Sequence, residues 1–353
     1  IKENKQIRIK DIAEKAKVSI GTVDRVLHNR GEVAETTRKK ILEIIDEMNY
    51  EPNILASTLA SKKSTLFATL FPQPPSPEGY WNKPFIGVKK RIAELRQYGV
   101  TIIPFTFSQT ESASFQQEAR KILELKPDGV VMAPFFKKES APFIDQLKKN
   151  NIPFVFIDSE IKNAGQISYI GQNSYQSGLV SGRLLDMILP DGNILIVHFA
   201  KEMDNQNHLV QREKGFYDWF EKNNSSRHQL FTKEIADAEN DKWMSNMLRK
   251  VEKQNVKGIF VTNSKVFFIG RFIEKHRLKN IRVIGHDLLR ENVSFLKKDV
   301  VQFLICQRPE EQGYNAINKL FKHVVQKRLI AKENYTSIDI VTKENVGFYK
   351  EFK

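Results

Sequence analysis

Two groups of residues in this 353-residue chain have the types and spacing to do chemistry. The first lies near the start, where Val23, Val26 and Leu27 repeat at helical spacing and leave Ile20, Gly21, Asp24, Arg25 and His28 on the opposite face. Arg25 carries a planar fork that can donate two hydrogen bonds to guanine O6 and N7, worth about 1–3 kcal/mol of base discrimination. Ile20 can offer only apolar contact, such as to a thymine methyl, and Gly21 has no side chain to read with. Thr22, Thr37, Arg38, Lys39 and Lys40 suit phosphate oxygens, which set register without reading sequence. The second group follows apolar, strand-like runs: Asp158 after Phe154-Val155-Phe156-Ile157, Asn263 after 259–262, and Asp287 closing Val283-Ile284-Gly285-His286.

The pair Asp158 and Asp287 has the residue types of acid/base catalysis, but a binding cleft uses the same types. The chain contains no Gly-x-Ser-x-Gly nucleophile elbow, no Gly-x-x-x-x-Gly-Lys phosphate loop and no His-x-x-x-His metal pair with a third ligand. Its seven histidines are scattered. The expectation is therefore no enzyme, no catalytic residue, no cofactor and no metal.

The elements that must position the first group read as three short helices. Ile9, Ile12, Ala13 and Ala16 repeat at i, i+3, i+4 and i+7; Ser19 is placed to cap a second helix; and a third, over 37–49, puts Ile41, Ile44, Ile45 and Met48 on one face. The tight link between the first two suits a helix-turn-helix, and three helices around a small core make a trihelical DNA-binding head. A small protein-binding bundle would share this pattern. After Ser64, strands alternate with amphipathic helices. Strands are expected at 66–71, 100–107, 129–133, 153–157 and 167–171, then at 194–199, 258–262, 281–285 and 300–305, with helices such as 85–98, 114–125 and 176–188 between them. Alternation of this kind predicts parallel sheets with helices on both faces, in two lobes.

Composition limits the choices further. The chain is longer than one core usually serves, so two or three folded units are expected. A single cysteine, Cys306, excludes an internal disulfide and a cysteine-based zinc site and fits a reducing cytosol. No stretch approaches the roughly 18 unbroken apolar residues of a membrane span, and residues 1–10 are too polar for a secretory signal. The net charge of +14 suggests a polyanionic partner, but residues 1–64 hold 13 Lys/Arg against 10 Asp/Glu, so most of the excess lies elsewhere. Charge alone does not single out the head.

Taken in order, Asp11-Ile12-Ala13, Val18-Ser19, Thr22-Val23, Arg25-Val26, Thr37-Arg38, Tyr50, Pro52-Asn53, Ala56 and Leu59 resemble the lactose-repressor (LacI) family. The resemblance implies a helix-turn-helix domain over 7–50, a hinge over 51–63 and an effector-binding and dimerisation domain over 64–353. Its DNA-contact set falls on Ser19, Ile20, Gly21, Thr22, Arg25, His28, Asn29, Thr37 and Arg38, with Asn53, Ala56 and Leu59 from the hinge. In the family the hinge becomes helical only on operator DNA, pairs with its twin in a homodimer and wedges a leucine, here Leu59, into the minor groove. Unstacking a base step costs a few kcal/mol, recovered by the contacts a bent duplex permits. So short a segment is no stable helix alone, which lets folding couple to binding. Leu59 as an ordinary linker hydrophobe is the bland reading; Lys62 and Lys63 are placed to meet phosphates.

Three residues depart from the family pattern. Asp24 stands where a serine usually faces phosphate, Ala34 replaces a capping serine so that Thr36 would cap a later start, and His28 replaces the common asparagine.

Beyond Ser64 the chain resembles the family's periplasmic-binding-protein-like core, an α/β domain of two doubly wound parallel-sheet lobes. Lobe 1 is expected over about 65–172 plus 307–334, and lobe 2 over about 173–306 plus 335–353. In such a core the ligand sits between the lobes, at the carboxyl ends of the strands. Alignment of motifs adds Arg212, which begins an Arg-x-x-Gly string ending at Gly215, and Gln307, ahead of a helix with Gly313. Asp158, Arg212, Asn263, Asp287 and Gln307 then match effector contacts, although each could also be a helix cap or a solvated loop residue. Carboxylates, an amide and a guanidinium suit vicinal hydroxyls, so a sugar or nucleoside is expected. Trp81, Phe85 and Phe135 are the nearest aromatics, for ligand stacking or for core packing and lobe contact; Trp243 reads as structural. Residues 335–341 read as one terminal strand with no leucine-heptad tail, which makes a dimer the simplest assembly. The resulting expectation is a cytoplasmic repressor controlled by a small molecule, binding operator DNA and no membrane.

Overall fold

The computed structural model describes residues 7–27, 31–48, 50, 64–74, 76–201, 203–223, 227–240 and 242–349. His28, Asn29, Asn53, Ala56, Leu59, Lys62 and Lys63, and with them the whole expected hinge, lie outside the described residues.

In the head, the helical spacing of apolar residues becomes α1 (Ile9–Ala16), α2 (Ile20–Leu27) and α3 (Glu35–Glu47). Ile12, Ala13, Ala16, Val23, Val26, Ile41, Ile44 and Tyr50 meet in one buried cluster. The turn after α1 is made by Lys17, which adopts a left-handed conformation (φ 55°) and returns its N–H to the last carbonyls of the helix. At the start of α1 the Asp11 carboxylate accepts the Arg8 backbone N–H at 2.7 Å. The third helix starts at Glu35, two residues before the expected start, with Ala34 as an N-cap that supplies no side-chain bond. Thr36 is therefore inside the helix and does not cap it. Lys15–Glu47, at 2.8 Å, fastens α1 to α3.

The remainder forms two six-stranded sheets. The first uses β1 (Thr65–Pro72), β2 (Val100–Phe107), β3 (Gly129–Met132), β4 (Phe154–Ile157), β5 (Ser168–Gly171) and β11 (Glu333–Tyr335), in the order β11-β5-β4-β3-β1-β2. The second uses β6 (Asn193–His198), β7 (Leu230–Glu234), β8 (Val256–Val261), β9 (Arg282–His286), β10 (Phe303–Cys306) and β12 (Asp339–Val341), in the order β12-β10-β9-β8-β6-β7. Every recorded pairing is parallel except β10 with β12. The central strands are buried along nearly their whole length because helices cover both faces: α4 (Asn82–Leu95), α5 (Ser112–Leu125), α6 (Lys137–Lys149) and α12 (Pro309–Val324) in the first lobe, and α7 (Ser174–Ile188), α8 (Asn207–Lys222), α9 (Lys242–Lys253), α10 (Phe267–His276) and α11 (Arg290–Lys297) in the second. This is a helical DNA-binding-type head followed by a periplasmic-binding-protein-like α/β domain of two lobes.

One strand expectation needs correction, and one strand had none. Residues 335–341 are not one strand; the chain leaves the first sheet after Tyr335 and joins the second at Asp339. Strand β7 lacked an expectation altogether, because it is an edge strand whose residues are only half-buried or exposed. The chain thus passes between the sheets three times: after β5, after β10 and after β11.

Candidate functional site

The carboxyl ends of the strands converge on a cavity of about 90 Å³ between the two lobes. Asp158 caps β4 at φ 65° and Asp287 caps β9 at φ 71°. Left-handed backbone is strained for residues with a side chain, least so for Asp and Asn. Both bends are held by the fold: the Asp158 N–H donates to Gln312 Oε1 at 3.0 Å, and the Asp287 N–H to Ile305 O at 2.9 Å. Asn292 Nδ2 donates to the carbonyls of His286, Asp287 and Ser264, tying the loops after β8 and β9 together.

Arg212 joins this cluster from the first turns of α8. Helices α7 and α8 cross closely enough that a Cβ on Gly178 would lie 2.0 Å from Arg212 O, and one on Gly215 2.0 Å from Tyr175 O. Glycine at these two positions therefore brings α8 in and buries Arg212 to 1% exposure. Its guanidinium donates to Thr262 O at 2.7 Å and to Gln307 Oε1 at 2.5 Å. Gln307 Nε2 in turn donates to both Asp287 oxygens, at 2.9 and 3.1 Å. Arg212 Nε has no partner among the described residues. Burial pushes the Asp287 carboxyl up to about 7, with Asp158 adding to the rise, while Arg212 and the Gln307 amide act against it.

Of the expected effector contacts, Trp81, Phe135, Asp158, Arg212, Asn263, Asp287 and Gln307 all line this cavity. Phe85 does not. It sits one turn into α4 and turns towards β1, its ring 5.1 Å from Phe71, so it belongs to the first lobe's packing. Trp81 and Phe135 meet edge to face at 6.4 Å. Asn263 spends its amide locally, donating to Phe199 O at 3.1 Å and accepting the Lys265 N–H at 3.2 Å. Trp243 is buried against Phe199 and Phe272 and donates to Ala238 O.

Several lining residues had no expectation: Tyr80, Gln109, Thr110, Lys201, His208 and Lys265. Tyr80 donates to Asp158 Oδ1 at 2.6 Å. His208 is held near 4 by burial, which keeps its ring neutral at physiological pH. Lys201 and Lys265 each follow a strand end by a few residues, so extending the strand-end search would have reached them; Tyr80 carried no signal beyond its position next to Trp81.

On the head, Ser19 and Thr22 are bonded to each other at 2.9 Å, and Ser19 Oγ also accepts the Thr22 N–H at 3.1 Å, which makes Ser19 the cap of α2. Ile20 is 56% exposed, and Arg25 is exposed beside it with Nε donating to Gly21 O at 3.2 Å. Thr37 is half-buried near the start of α3, as is Arg38, and both Arg38 and Asp24 have partners in the structure. Lys40 Nζ, expected on phosphate, donates here to Ala16 O at 3.0 Å and closes the end of α1. Among the described residues no three metal-ligating side chains are grouped, and no helix is long and apolar enough to cross a membrane.

A family model described as "Periplasmic binding protein domain" matches residues 68–328, and one described as "Bacterial regulatory proteins, lacI family" matches residues 8–53. The chain belongs to the LacI family. A LacI-family structure from Bacteroides fragilis is 30% identical, with a TM-score of 0.76, covering 81% of this chain and 100% of its own. Catabolite control protein A of Streptococcus mutans is 48% identical over 66 residues, 19% of this chain and 20% of that protein. The HTH-type transcriptional regulator MalR of Staphylococcus xylosus is 29% identical over 182 residues, 51% of this chain and 52% of that one. The matched part thus spans about half or less of these two curated relatives.

Proposed function

We propose that this LacI-family protein is a sequence-specific DNA-binding transcription regulator, acting as a repressor, whose operator affinity is set by a small molecule bound between the sensor lobes. One observation carries the reading: a helix-turn-helix head with an exposed Arg25 is joined in one chain to an interlobe cavity lined by Asp158, Asp287, Arg212 and Gln307. The buried polar cluster suits a hydroxylated ligand, a sugar or nucleoside, because hydroxyls can donate to the carboxylates and accept from Arg212. Trp81 and Phe135 supply an apolar wall for the face of the ring.

On the DNA side, Arg25 reads a guanine, Ile20 makes apolar contact, and Ser19, Thr22, Thr37 and Arg38 hold the phosphate backbone, joined by His28 and Asn29 and by the hinge residues Asn53, Ala56 and Leu59. A cytoplasmic homodimer would present two heads to a pseudo-palindromic operator. Closure of the lobes on the effector would change the spacing of the two hinges, and DNA affinity would shift only by the effector's differential affinity for the two states. These residues bind; none is assigned a chemical step.

The test is a gel-shift assay on DNA upstream of the protein's own and neighbouring genes, run across a salt series. The reading expects a specific complex that weakens steeply as salt rises. Absence of any specific complex at a native site would sink it.

A further inference from the structure

The lobe-2 wall of the cavity holds two ammoniums with no hydrogen-bonded or ion-paired partner among the described residues. Lys201 follows β6 and Lys265 follows β8; these strands are paired neighbours, and Asn263 Nδ2 bonds the Phe199 carbonyl, so the two loops run side by side. By contrast, the other charged groups of the lining are already engaged: Asp158 by Tyr80, Asp287 by Gln307, and Arg212 by Thr262 and Gln307. Among the described residues neither ammonium makes a hydrogen bond or an ion pair; Lys265 bonds only through its backbone, to Asn263 and Phe268. Lys265 is also substantially withdrawn from water; burial depresses its ammonium below the ordinary lysine range, opposed only by the field of Glu239. An ammonium held against a cavity without a counterion is costly unless something that enters the cavity supplies one.

We infer that the effector is an acidic sugar, a monosaccharide-sized polyol carrying one carboxylate, with that carboxylate on Lys265 and Lys201 beside it and its hydroxyls on Asp158, Asp287 and Arg212. The inference rests on the interlobe cavity being the effector site. The chemistry is complementary across the cavity: Asp158 and the partly protonated Asp287 disfavour an anion at one part of the lining, while two ammoniums attract it at another, so the ligand has one orientation.

The experiment uses the full chain, with thermal shift and calorimetry against galacturonate, glucuronate and gluconate, their neutral parents galactose and glucose, and glucose 6-phosphate. At least one acid should bind about tenfold or more tightly than its neutral parent, as expected for a charge-assisted hydrogen bond in a partly buried site. In K265Q the ratio of acid to neutral affinity should fall towards one, and K265R should restore much of it. The ligand-free melting temperature of K265Q should equal or exceed that of the parent protein, because an unpaired ammonium has been removed; this guards against reading a folding defect as lost binding. Neutral sugars that bind as tightly as the acids would overturn the inference and leave the cleft as effector site. So would a phosphate ester that binds more tightly than every acid. Failure of every polyol, charged or neutral, would overturn the cleft assignment and this inference with it.

Discussion

Arg25 and Arg212 are both guanidiniums assigned to recognition, and they stand in opposite surroundings. Arg25 lies exposed on α2, with one bond to its own helix at Gly21 O. Arg212 is 1% exposed, with bonds to Thr262 and Gln307 and a link through Gln307 to Asp287. An exposed arginine contributes little to folding, so its chemistry is free to be used on a partner. A buried arginine is part of the core that holds it, and its removal leaves Asp287 and Gln307 without compensation. The two arginines should therefore separate differently under mutation: at Arg25 recognition can be lost without stability, and at Arg212 the two are lost together.

The sharpest way to break that comparison is R212A. It should lower sensor stability by about 3–5 kcal/mol, the usual cost of breaking a buried charge network, and remove any effector-induced rise in melting temperature. A variant that melts like the parent protein would show that the cluster is not integral to the fold.

Next in size is the pH response of Asp287. Its carboxyl titrates near 7 in the folded protein against about 3.9 when unfolded, so the native state binds more protons between those values. Stability contributed at this site therefore falls as pH rises from about 4 to 7, and the penalty is complete above 7. D287N should be close to the parent protein at pH 4 and more stable above pH 7, by on the order of 2–4 kcal/mol. Denaturant melts across this range measure the gap, and a gap that does not vary with pH would refute the assignment.

R25A should weaken operator binding by about 1–3 kcal/mol and relax specificity at one base pair. Its melting temperature should stay that of the parent protein, since surface changes usually fall within about 0.5 kcal/mol. Coupled loss of stability and binding would erase the contrast with Arg212. The smallest effect belongs to S19A, which removes the α2 cap seen at Thr22 and should cost the head about 1 kcal/mol. Circular dichroism melts of the head transition would detect it.

Much of the fold was legible from local pattern. Strand β2 occupies the expected 100–107, the head's three helices follow their apolar spacing, and strand-end polarity alone pointed to Asp158, Asn263 and Asp287. Errors arose where local pattern is degenerate. Phe85 sits on an amphipathic helix near the cleft, but whether its ring faces ligand or strand is decided by the helix's rotation against β1, where it meets Phe71. The bond from Lys40 to the end of α1 was likewise not legible, because a lysine's type does not show whether a helix end lies within its reach. Strand β7, Leu-Phe-Thr-Lys-Glu at a sheet edge, needs no buried apolar run and so left no clear signal.

The sequence by itself determined the helix-turn-helix spacing, the alternation of strands and helices, and the residue types available at the strand ends. These are properties of neighbouring residues, and backbone period and turn chemistry act over that range. Tertiary structure decided that 335–341 splits between two sheets, because Tyr335-Thr336-Ser337-Ile338-Asp339-Ile340-Val341 favours extended backbone throughout and only pairing with β5 and then β10 divides it. It also decided that Arg212, more than forty residues from any of its partners in the chain, is buried against Thr262 and Gln307, since glycine-spaced packing of α7 on α8 is what brings it there. Only the folded chain shows that Lys265 stands at the cavity with no hydrogen-bonded or ion-paired carboxylate among the described residues, Glu239 acting on it through its field alone.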